Sequence, residues 1–407
     1  MKQRSQILCG CALVVLLLLS TVACDAFLGA EEQTPGLESA LPTDEQSTMP
    51  SDTTAEQESE QAGGTSAETS QGSVQTQEPT TEPVGSPTNS IVTPSASGYT
   101  YPDLVDDLVA LAQTYGAYFA YQSIGKSVDG REIFACVVGN PNAEKKVLLT
   151  GGIHGKEYLS SLLVMTQMEY YLANRETGSH NGLSYAELLS THAFYVLPMI
   201  NPDGVMLALC GIESMQTQRA REVVEKVYAD NLRDGLTSAS NINDYLAYNW
   251  KANANGVDLN RNFALSNWSE VKTGILSPCF RNYKGPSAAS EPETKAVSAY
   301  VESLGELQAL LAFHTAGQVV YWDCGMTGGV RQQTLDLARA VCDSTGYKLI
   351  YDKHLDASLN DWITLERGVP SVTVEIATVE YPMPASMLEE AFAQTKELWV
   401  VTAQLVG

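Results

Sequence analysis

The fold can be inferred from one segment, Lys146-Val147-Leu148-Leu149-Thr150-Gly151-Gly152-Ile153-His154-Gly155-Lys156-Glu157. Its first five residues form an apolar run with strand character, and the two glycines stop that run. His154 therefore lies just beyond a predicted strand end, with Glu157 three residues later. A His-x-x-Glu pair is a weak signal by itself, because many such pairs arise by chance or as contacts on a helix face. Its position after a strand makes this pair a candidate site.

Two further strand-like runs end in the same way. Residues 308–313 are followed by His314, and residues 371–374 are followed by Glu375. In open α/β sheets, ligands bind outside the carboxyl ends of the strands. We therefore predict that these two side chains meet His154 and Glu157 at one edge of a sheet.

These side chains have the composition of a catalytic zinc site. The two histidines are about 160 residues apart, too far for a zinc finger or ribbon. A structural zinc is closed by four protein ligands, whereas a catalytic zinc keeps three and leaves the fourth position to water. We predict one zinc ion bound by His154, Glu157 and His314.

Helix-like and strand-like segments alternate from residue 99 to the C-terminus. The predicted helices lie near residues 101–115, 157–173, 290–303, 330–345 and 386–404. This alternation favours one α/β domain, residues 99–407, with a mostly parallel sheet covered by helices on both faces.

Several motifs occur in the order typical of one enzyme family. They are Ile124-Gly125-Lys126-Ser127-Val128-Asp129-Gly130-Arg131, the His154/Glu157 pair, Pro198-Met199-Ile200-Asn201-Pro202-Asp203-Gly204, Gly256-Val257-Asp258-Leu259-Asn260-Arg261-Asn262-Phe263, Ser290-Glu291-Pro292-Glu293, and the strand ends at His314 and Glu375. On these motifs, the chain resembles a zinc carboxypeptidase of the carboxypeptidase A type from about residue 99 onward. The resemblance implies a mixed sheet of about eight strands.

The resemblance also implies roles for the site residues. Glu375 would be the general base that takes a proton from the zinc-bound water. Asn260 and Arg261 would bind the terminal carboxylate of a peptide, because a guanidinium presents two donors to two carboxylate oxygens. The implied activity is hydrolysis of a peptide or isopeptide bond near a free C-terminal carboxylate.

The sequence departs from the family pattern at two positions. Carboxypeptidase A has an Arg after a Trp upstream of the Asn-Arg motif, whereas here Trp250 is followed by Lys251. Lys251 is our candidate for stabilising the oxyanion, as a point charge without the guanidinium fork; the alternative is a solvated loop lysine. The family's mobile Tyr aligns by spacing with Lys353, so Tyr351 is the nearest candidate for closing over substrate, although its apolar run is also typical of a plain strand.

Specificity is predicted from Asn360, which precedes Asp361-Trp362 at the position that floors the side-chain pocket in this family. An Asn there suggests a polar or zwitterionic leaving residue. Residues 250–258 also resemble the bacterial branch that cleaves γ-D-glutamyl-diaminopimelate bonds in cell-wall stem peptides. Two other functions stay open, an N-acyl amino acid acylase on the same scaffold and an inactive carboxypeptidase-like binding module.

The N-terminal region indicates export. Residues 1–23 have Lys2 and Arg4 before a short apolar run, which is typical of a secretory signal peptide rather than a membrane-spanning helix. Thr21-Val22-Ala23-Cys24 resembles a bacterial lipoprotein box, so we expect Cys24 to be lipidated at the cell surface; ordinary cleavage before Cys24 is the alternative.

An acidic tether is predicted between the signal and the domain. Residues 24–98 contain thirteen acidic residues, no Lys or Arg, and Phe27 as the only aromatic residue. Such a composition buries no core and is typical of a disordered, extended segment. The whole chain has a net charge of −24, which argues against nucleic acid as a partner. We therefore expect a monomer that binds peptide or stem-peptide substrate and reaches a membrane only through Cys24.

Overall fold

The computed structural model describes residues 90–352, 354–378 and 381–406. The predicted signal peptide, the Cys24 lipidation site and the tether up to residue 89 lie outside the described residues. Within the described part of the chain, no helix combines the length and apolarity needed to cross a membrane.

An eight-stranded mixed sheet forms the centre of the domain. The strands are β1 Phe119–Lys126, β2 Glu132–Gly139, β3 Lys145–Thr150, β6 His192–Leu197, β7 Ala309–Thr315, β8 Val319–Tyr321, β9 Lys348–Ile350 and β10 Ser371–Ile376, and Ser179–His180 (β4) pairs with Leu183–Ser184 (β5) in a separate hairpin. The order across the sheet is β1-β2-β6-β3-β7-β10-β8-β9. Strands β6, β3, β7 and β10 run parallel to their neighbours in this central part. The predicted fold class is confirmed.

Both faces of the sheet are covered by helices. The described helices are α1 Tyr101–Tyr115, α2 Tyr158–Ala173, α3 Tyr185–Thr191, α4 Pro202–Cys210, α5 Gln218–Arg233, α6 Ile242–Asn249, α7 Pro292–Ser303, α8 Gly328–Thr345, α9 Leu359–Asp361, α10 Leu388–Thr395 and α11 Leu398–Val406. Four of the five predicted helices match α1, α2, α7 and α8. The fifth, predicted over 386–404, is divided into α10 and α11, and no Gly or Pro lies at the break to reveal it in the sequence.

The central strands are apolar throughout because each face has its own core. In β3, Val147 and Leu149 are buried in the cluster that includes α2, α8 and α11, whereas Leu148 is buried in the cluster that includes α7. Successive side chains of a strand point to opposite faces, so a strand covered on both sides has no polar alternation. This explains why the run before Gly151 is continuous.

The folded region begins earlier than the predicted boundary at residue 99. Val92 is buried, and the carboxylate of Glu169 on α2 accepts hydrogen bonds from Ser90 Oγ at 2.7 Å, Ile91 N at 2.7 Å and Val92 N at 2.9 Å. Residues 90–92 therefore lie against the domain instead of belonging to the tether. Composition misses this because the stabilising acceptor comes from a distant part of the chain.

Candidate active site

Three adjacent strands place the predicted site residues at one edge of the sheet. His314 lies at the end of β7, and Glu375 is its direct partner in the parallel pairing with β10. On the other side of β7, strand β3 ends at Thr150, and the following loop carries His154 and Glu157 to the start of α2. The carboxyl ends of these strands thus converge as the sequence predicted.

The loop between β3 and α2 requires its glycines. Gly152 has a φ of 61°, and a Cβ there would collide with Oγ of Ser161. A Cβ on Gly155 would collide with the backbone of Gly204. The loop is also tied to the segment that carries Lys251, because Gly155 N donates to Lys251 O at 3.2 Å. These contacts fix the position of His154 and Glu157.

His154, Glu157 and His314 form a group suited to a metal ion. Their ligand atoms all lie within 4.8 Å of one another, and all three residues are buried. Nδ1 of His154 is 3.1 Å from Oε1 of Glu157, and Nδ1 of His314 is 3.1 Å from Oε2. Two imidazoles and one carboxylate are the donor set that zinc accepts in open catalytic sites. The donor chemistry and the convergence of the atoms both fit one zinc ion.

Charged neighbours tune these donors. Burial alone would raise the pKa of Glu157, but the ammonium of Lys251, 2.7 Å from Oε1, and His154 together hold that pKa well below its usual value. On the other side of the ring, Nε2 of His154 lies 3.3 Å from Oδ1 of Asp258. A carboxylate on the outer nitrogen fixes the tautomer and orientation of a metal-binding imidazole. Nε2 makes no hydrogen bond of ordinary geometry within the described residues, so its contact with Asp258 is electrostatic and favours the ring orientation that turns Nδ1 toward Glu157.

Glu375 is a buried carboxylate outside the ligand group. Among the described residues, its Oε2 is buried without a hydrogen-bond partner. Burial, followed by repulsion from Glu157, raises the pKa of Glu375 to about 8, against the opposing effect of Lys251. A carboxyl group with a pKa near neutrality, next to a metal-binding group, has the properties of a general base.

A cavity of about 260 Å³ opens in front of these residues. It is lined by His154, Lys251, Asn260, Arg261, His314, Tyr321, Trp322, Asp323, Cys324, Met326, Asp352, His354, Asp356, Ser358, Asn360, Asp361, Ser371, Thr373 and Glu375. The structure therefore brings Lys251, Asn260, Arg261, Asn360 and Glu375 together around one space.

Asn260 and Arg261 present donors to this cavity. Oδ1 of Asn260 accepts a hydrogen bond from Leu359 N at 3.1 Å, so the amino group is the end of the amide that remains for a ligand. The guanidinium of Arg261 pairs with Asp356, with Nη2 3.2 Å from Oδ2. Asn360 also lines the cavity, and its side-chain Oδ1 and Nδ2 are buried without partners among the described residues.

Tyr351 is not brought into the cavity lining. Its ring lies against Trp322, with 5.6 Å between the ring centroids, and its side chain is about half exposed. Lys353, the position at which the family spacing places the mobile Tyr, is outside the described residues. The aromatic residues that line the cavity are Tyr321 at the end of β8 and the adjacent Trp322.

A model of the zinc carboxypeptidase family matches residues 104–398. The chain belongs to the zinc carboxypeptidase family. It is 29% identical to the uncharacterized protein YqgT of Bacillus subtilis over 287 aligned residues. This alignment covers 69% of this chain and 71% of that protein. It is 27% identical to gamma-D-glutamyl-L-diamino acid endopeptidase 1 of Lysinibacillus sphaericus over 299 aligned residues. This alignment covers 73% of this chain and 70% of that protein.

The fold of this zinc carboxypeptidase also resembles solved structures. The crystal structure of thrombin activatable fibrinolysis inhibitor aligns with a TM-score of 0.58 at 17% identity, over 77% of this chain and 75% of that chain. This likeness shows the fold alone. Family membership confirms the predicted class of enzyme, a metal-dependent peptide hydrolase, and its predicted cofactor, one zinc ion. The separate roles of Glu375, Lys251, Asn260, Arg261 and Asn360 stay predictions.

The carboxypeptidase site contains several residues to which sequence reasoning assigned no role. Asp258 contacts His154, and its position two residues before Asn260 in a quoted motif was a usable signal. Asp356 pairs with Arg261 from a loop with no recognisable pattern, so no signal in the sequence indicated it. Cys324 and Met326 also line the cavity, and the sequence analysis did not predict their presence there.

Proposed function

We propose that this enzyme hydrolyses the bond that joins a C-terminal residue, which carries a free carboxylate, to the rest of a peptide. We propose further that its substrates are cell-wall stem peptides. The observation that carries the proposal is that Asn260 and Arg261 line the same cavity as His154, His314 and Glu375. Donors for a carboxylate thus lie across one cavity from the metal-binding group.

We infer the reaction from the side chains around the cavity. A zinc ion held by His154, Glu157 and His314 would supply a water with a pKa of about 7 and would polarise the carbonyl of the scissile bond. Glu375 accepts the proton of that water and later donates it to the leaving amine. Lys251 stabilises the negative charge that develops on the carbonyl oxygen, and Arg261 holds the leaving residue by its carboxylate. Asp258 keeps His154 in the orientation that the metal requires.

Two observations support a cell-wall substrate. One relative is a gamma-D-glutamyl-L-diamino acid endopeptidase, and it aligns along 73% of this chain. The polar Asn360, with two buried side-chain atoms that have no partner among the described residues, suits a leaving residue with polar groups beyond its main-chain carboxylate. An apolar pocket would leave such groups unpaired, at a cost in binding free energy.

The proposal is tested by incubating the zinc-loaded enzyme with the tripeptide L-Ala-γ-D-Glu-meso-diaminopimelate, with ordinary peptides and with N-acyl amino acids, each with and without a chelator. We expect release of diaminopimelate that the chelator abolishes. Cleavage of ordinary peptides alone would remove the cell-wall substrate. Cleavage of N-acyl amino acids alone would favour an acylase, and binding of peptides without turnover would favour an inactive module.

We also propose that the enzyme works at the cell surface as a lipoprotein. The support is the sequence alone, through the signal-like residues 1–23 and the lipoprotein-like Cys24. Mass spectrometry of the mature N-terminus tests this. A diacylglyceryl modification on Cys24 is expected, whereas an unmodified mature N-terminus would contradict the lipid anchor.

A further inference from the structure

Arg261 is paired with a carboxylate that competes with a substrate carboxylate for the guanidinium. Its Nη2 lies 3.2 Å from Oδ2 of Asp356, and its Nη1 donates to Asn260 O at 2.8 Å. The Asp356 side chain is 39% exposed and that of Arg261 is 19% exposed, so both reach the cavity from its wall. A substrate carboxylate bound to Arg261 neutralises the cation with which Asp356 is paired, whether or not it replaces Asp356 at Nη2. Asp356 then remains beside the ligand without a cation of its own.

The other described aspartates that line the cavity keep their partners when this happens. Asp323 contacts Arg331, with both Nε and Nη2 at 3.0 Å. Oδ2 of Asp361 accepts hydrogen bonds from the backbone N–H groups of Asp356 and Ser358. Asp352 pairs with His354 at the mouth of the cavity. Asp356 is thus the aspartate of this wall whose positively charged partner, Arg261, is neutralised by the bound substrate.

A leaving residue with only negative charge would be repelled by this wall. Among the described residues, the Lys and Arg side chains that line the cavity are Lys251, which is 2.7 Å from Glu157, and Arg261, which the substrate carboxylate neutralises. Like charges that meet in a partly enclosed cavity cost binding free energy, and a second, positive group on the same ligand lowers that cost. An ammonium on the leaving residue would supply that positive group beside Asp356.

We propose that Asp356 is a specificity-determining residue that selects a leaving residue with an ammonium group in addition to its carboxylate, which is the chemistry of a diamino acid. The inference rests on the proposed peptidase function. In the free enzyme Asp356 holds Arg261 in place, and in the complex it pairs with the substrate ammonium. Asn360, in the same cavity, offers its amide to the remaining polar atoms of the leaving residue.

The test uses two tripeptides, L-Ala-γ-D-Glu-X, in which X is meso-diaminopimelate or 2-aminopimelate. The two leaving residues share their carbon chain and both carboxylates and differ by one amino group. The wild-type enzyme should prefer the diaminopimelate peptide in kcat/KM by at least about tenfold, the size of one well-placed charge contact. Asp356→Asn should bring that ratio close to one, through a lower rate with diaminopimelate and an unchanged or higher rate with aminopimelate.

Asp352→Asn is the matched control, because it makes the same chemical change at a carboxylate that pairs with His354 instead of Arg261. It should keep the wild-type ratio, and Asp356→Ala should reproduce the effect of Asp356→Asn. The proposal is overturned if Asp356→Asn retains the preference, if Asp352→Asn abolishes it, or if the wild-type enzyme shows none.

A binding experiment separates this inference from the proposed function. Calorimetric titration of zinc-loaded Glu375→Gln with the same two tripeptides measures the preference without turnover. Tighter binding of the diaminopimelate tripeptide that depends on Asp356 supports the inference even if the wild-type enzyme cleaves neither tripeptide, an outcome that would remove only the proposed function. Equal binding of the two tripeptides overturns the inference.

Discussion

Replacing Glu375 with Gln removes the base and keeps the shape of the side chain. Glu375 lies outside the group formed by His154, Glu157 and His314, so the variant should still bind one zinc ion. A positioned general base contributes roughly 10²- to 10⁴-fold to the rate. We therefore expect kcat to fall by that factor while KM changes little, because Arg261 still binds the carboxylate.

The same substitution should stabilise the metal-free protein at neutral and alkaline pH. Burial and Glu157 raise the pKa of Glu375 from its usual value of 4.5 to about 8, so the folded state binds a proton that the unfolded state has lost. Between these values the free energy of unfolding of the wild-type protein falls as pH rises, by up to ~1.4 kcal/mol for each pH unit. The glutamine of the Glu375→Gln variant does not titrate, so the variant's advantage in stability should grow to a few kcal/mol by pH 8.

Three measurements check this prediction: kcat on a cleaved peptide, zinc per chain by elemental analysis, and denaturant unfolding of chelator-treated protein at pH 4.5 and 8. Turnover by Glu375→Gln within about threefold of wild type would show that another group is the base. Loss of zinc would show that Glu375 is a ligand. An equal dependence of stability on pH in both proteins would refute the explanation of the raised pKa.

Three further predictions concern the rest of the site and the core. Lys251→Met should lower kcat by roughly 10²- to 10³-fold with zinc retained, since it removes an oxyanion donor; unchanged kcat would identify Lys251 as a structural partner of Glu157 alone. Arg261→Lys should raise KM for peptides with a free terminal carboxylate, because Lys lacks the two-donor fork, and should not affect amidated peptides; an equal effect on both would exclude carboxylate binding. Leu149→Ala should lower the free energy of unfolding by roughly 2–5 kcal/mol, because Leu149 is fully buried in the core. Urea unfolding of the zinc-loaded enzyme measures this loss. A loss below about 1 kcal/mol would mean that the core collapses into the space left by the missing side-chain atoms.

The central strands and the ligand residues could be predicted because their signals are local. A continuous apolar run stopped by glycines marks the end of β3, and an ionisable side chain just after such a run can only lie at that edge of the sheet. Strand pairing then brings His314 opposite Glu375 without further information. The positions of four helices follow from equally local periodicity.

The remaining features depend on contacts between distant segments. Residues 90–98 resemble a tether in composition, yet Glu169 binds their backbone. Asp356 contacts Arg261 from a loop much later in the chain, and neither residue carries a signal for the other. Tyr351 lies two residues from the position that family spacing indicates, but the backbone after β9 places its ring on Trp322 and outside the cavity lining. Loop conformation, which spacing does not encode, decides each of these cases.

The most direct measurement is anomalous X-ray scattering at the zinc absorption edge from crystals of the zinc-loaded enzyme. We expect one peak per chain, about 2.0–2.2 Å from Nδ1 of His154, Nδ1 of His314 and a carboxylate oxygen of Glu157, with Glu375 nearby but not coordinated. A peak elsewhere, or one coordinated by Glu375 in place of Glu157, would contradict the metal site on which the mechanism depends.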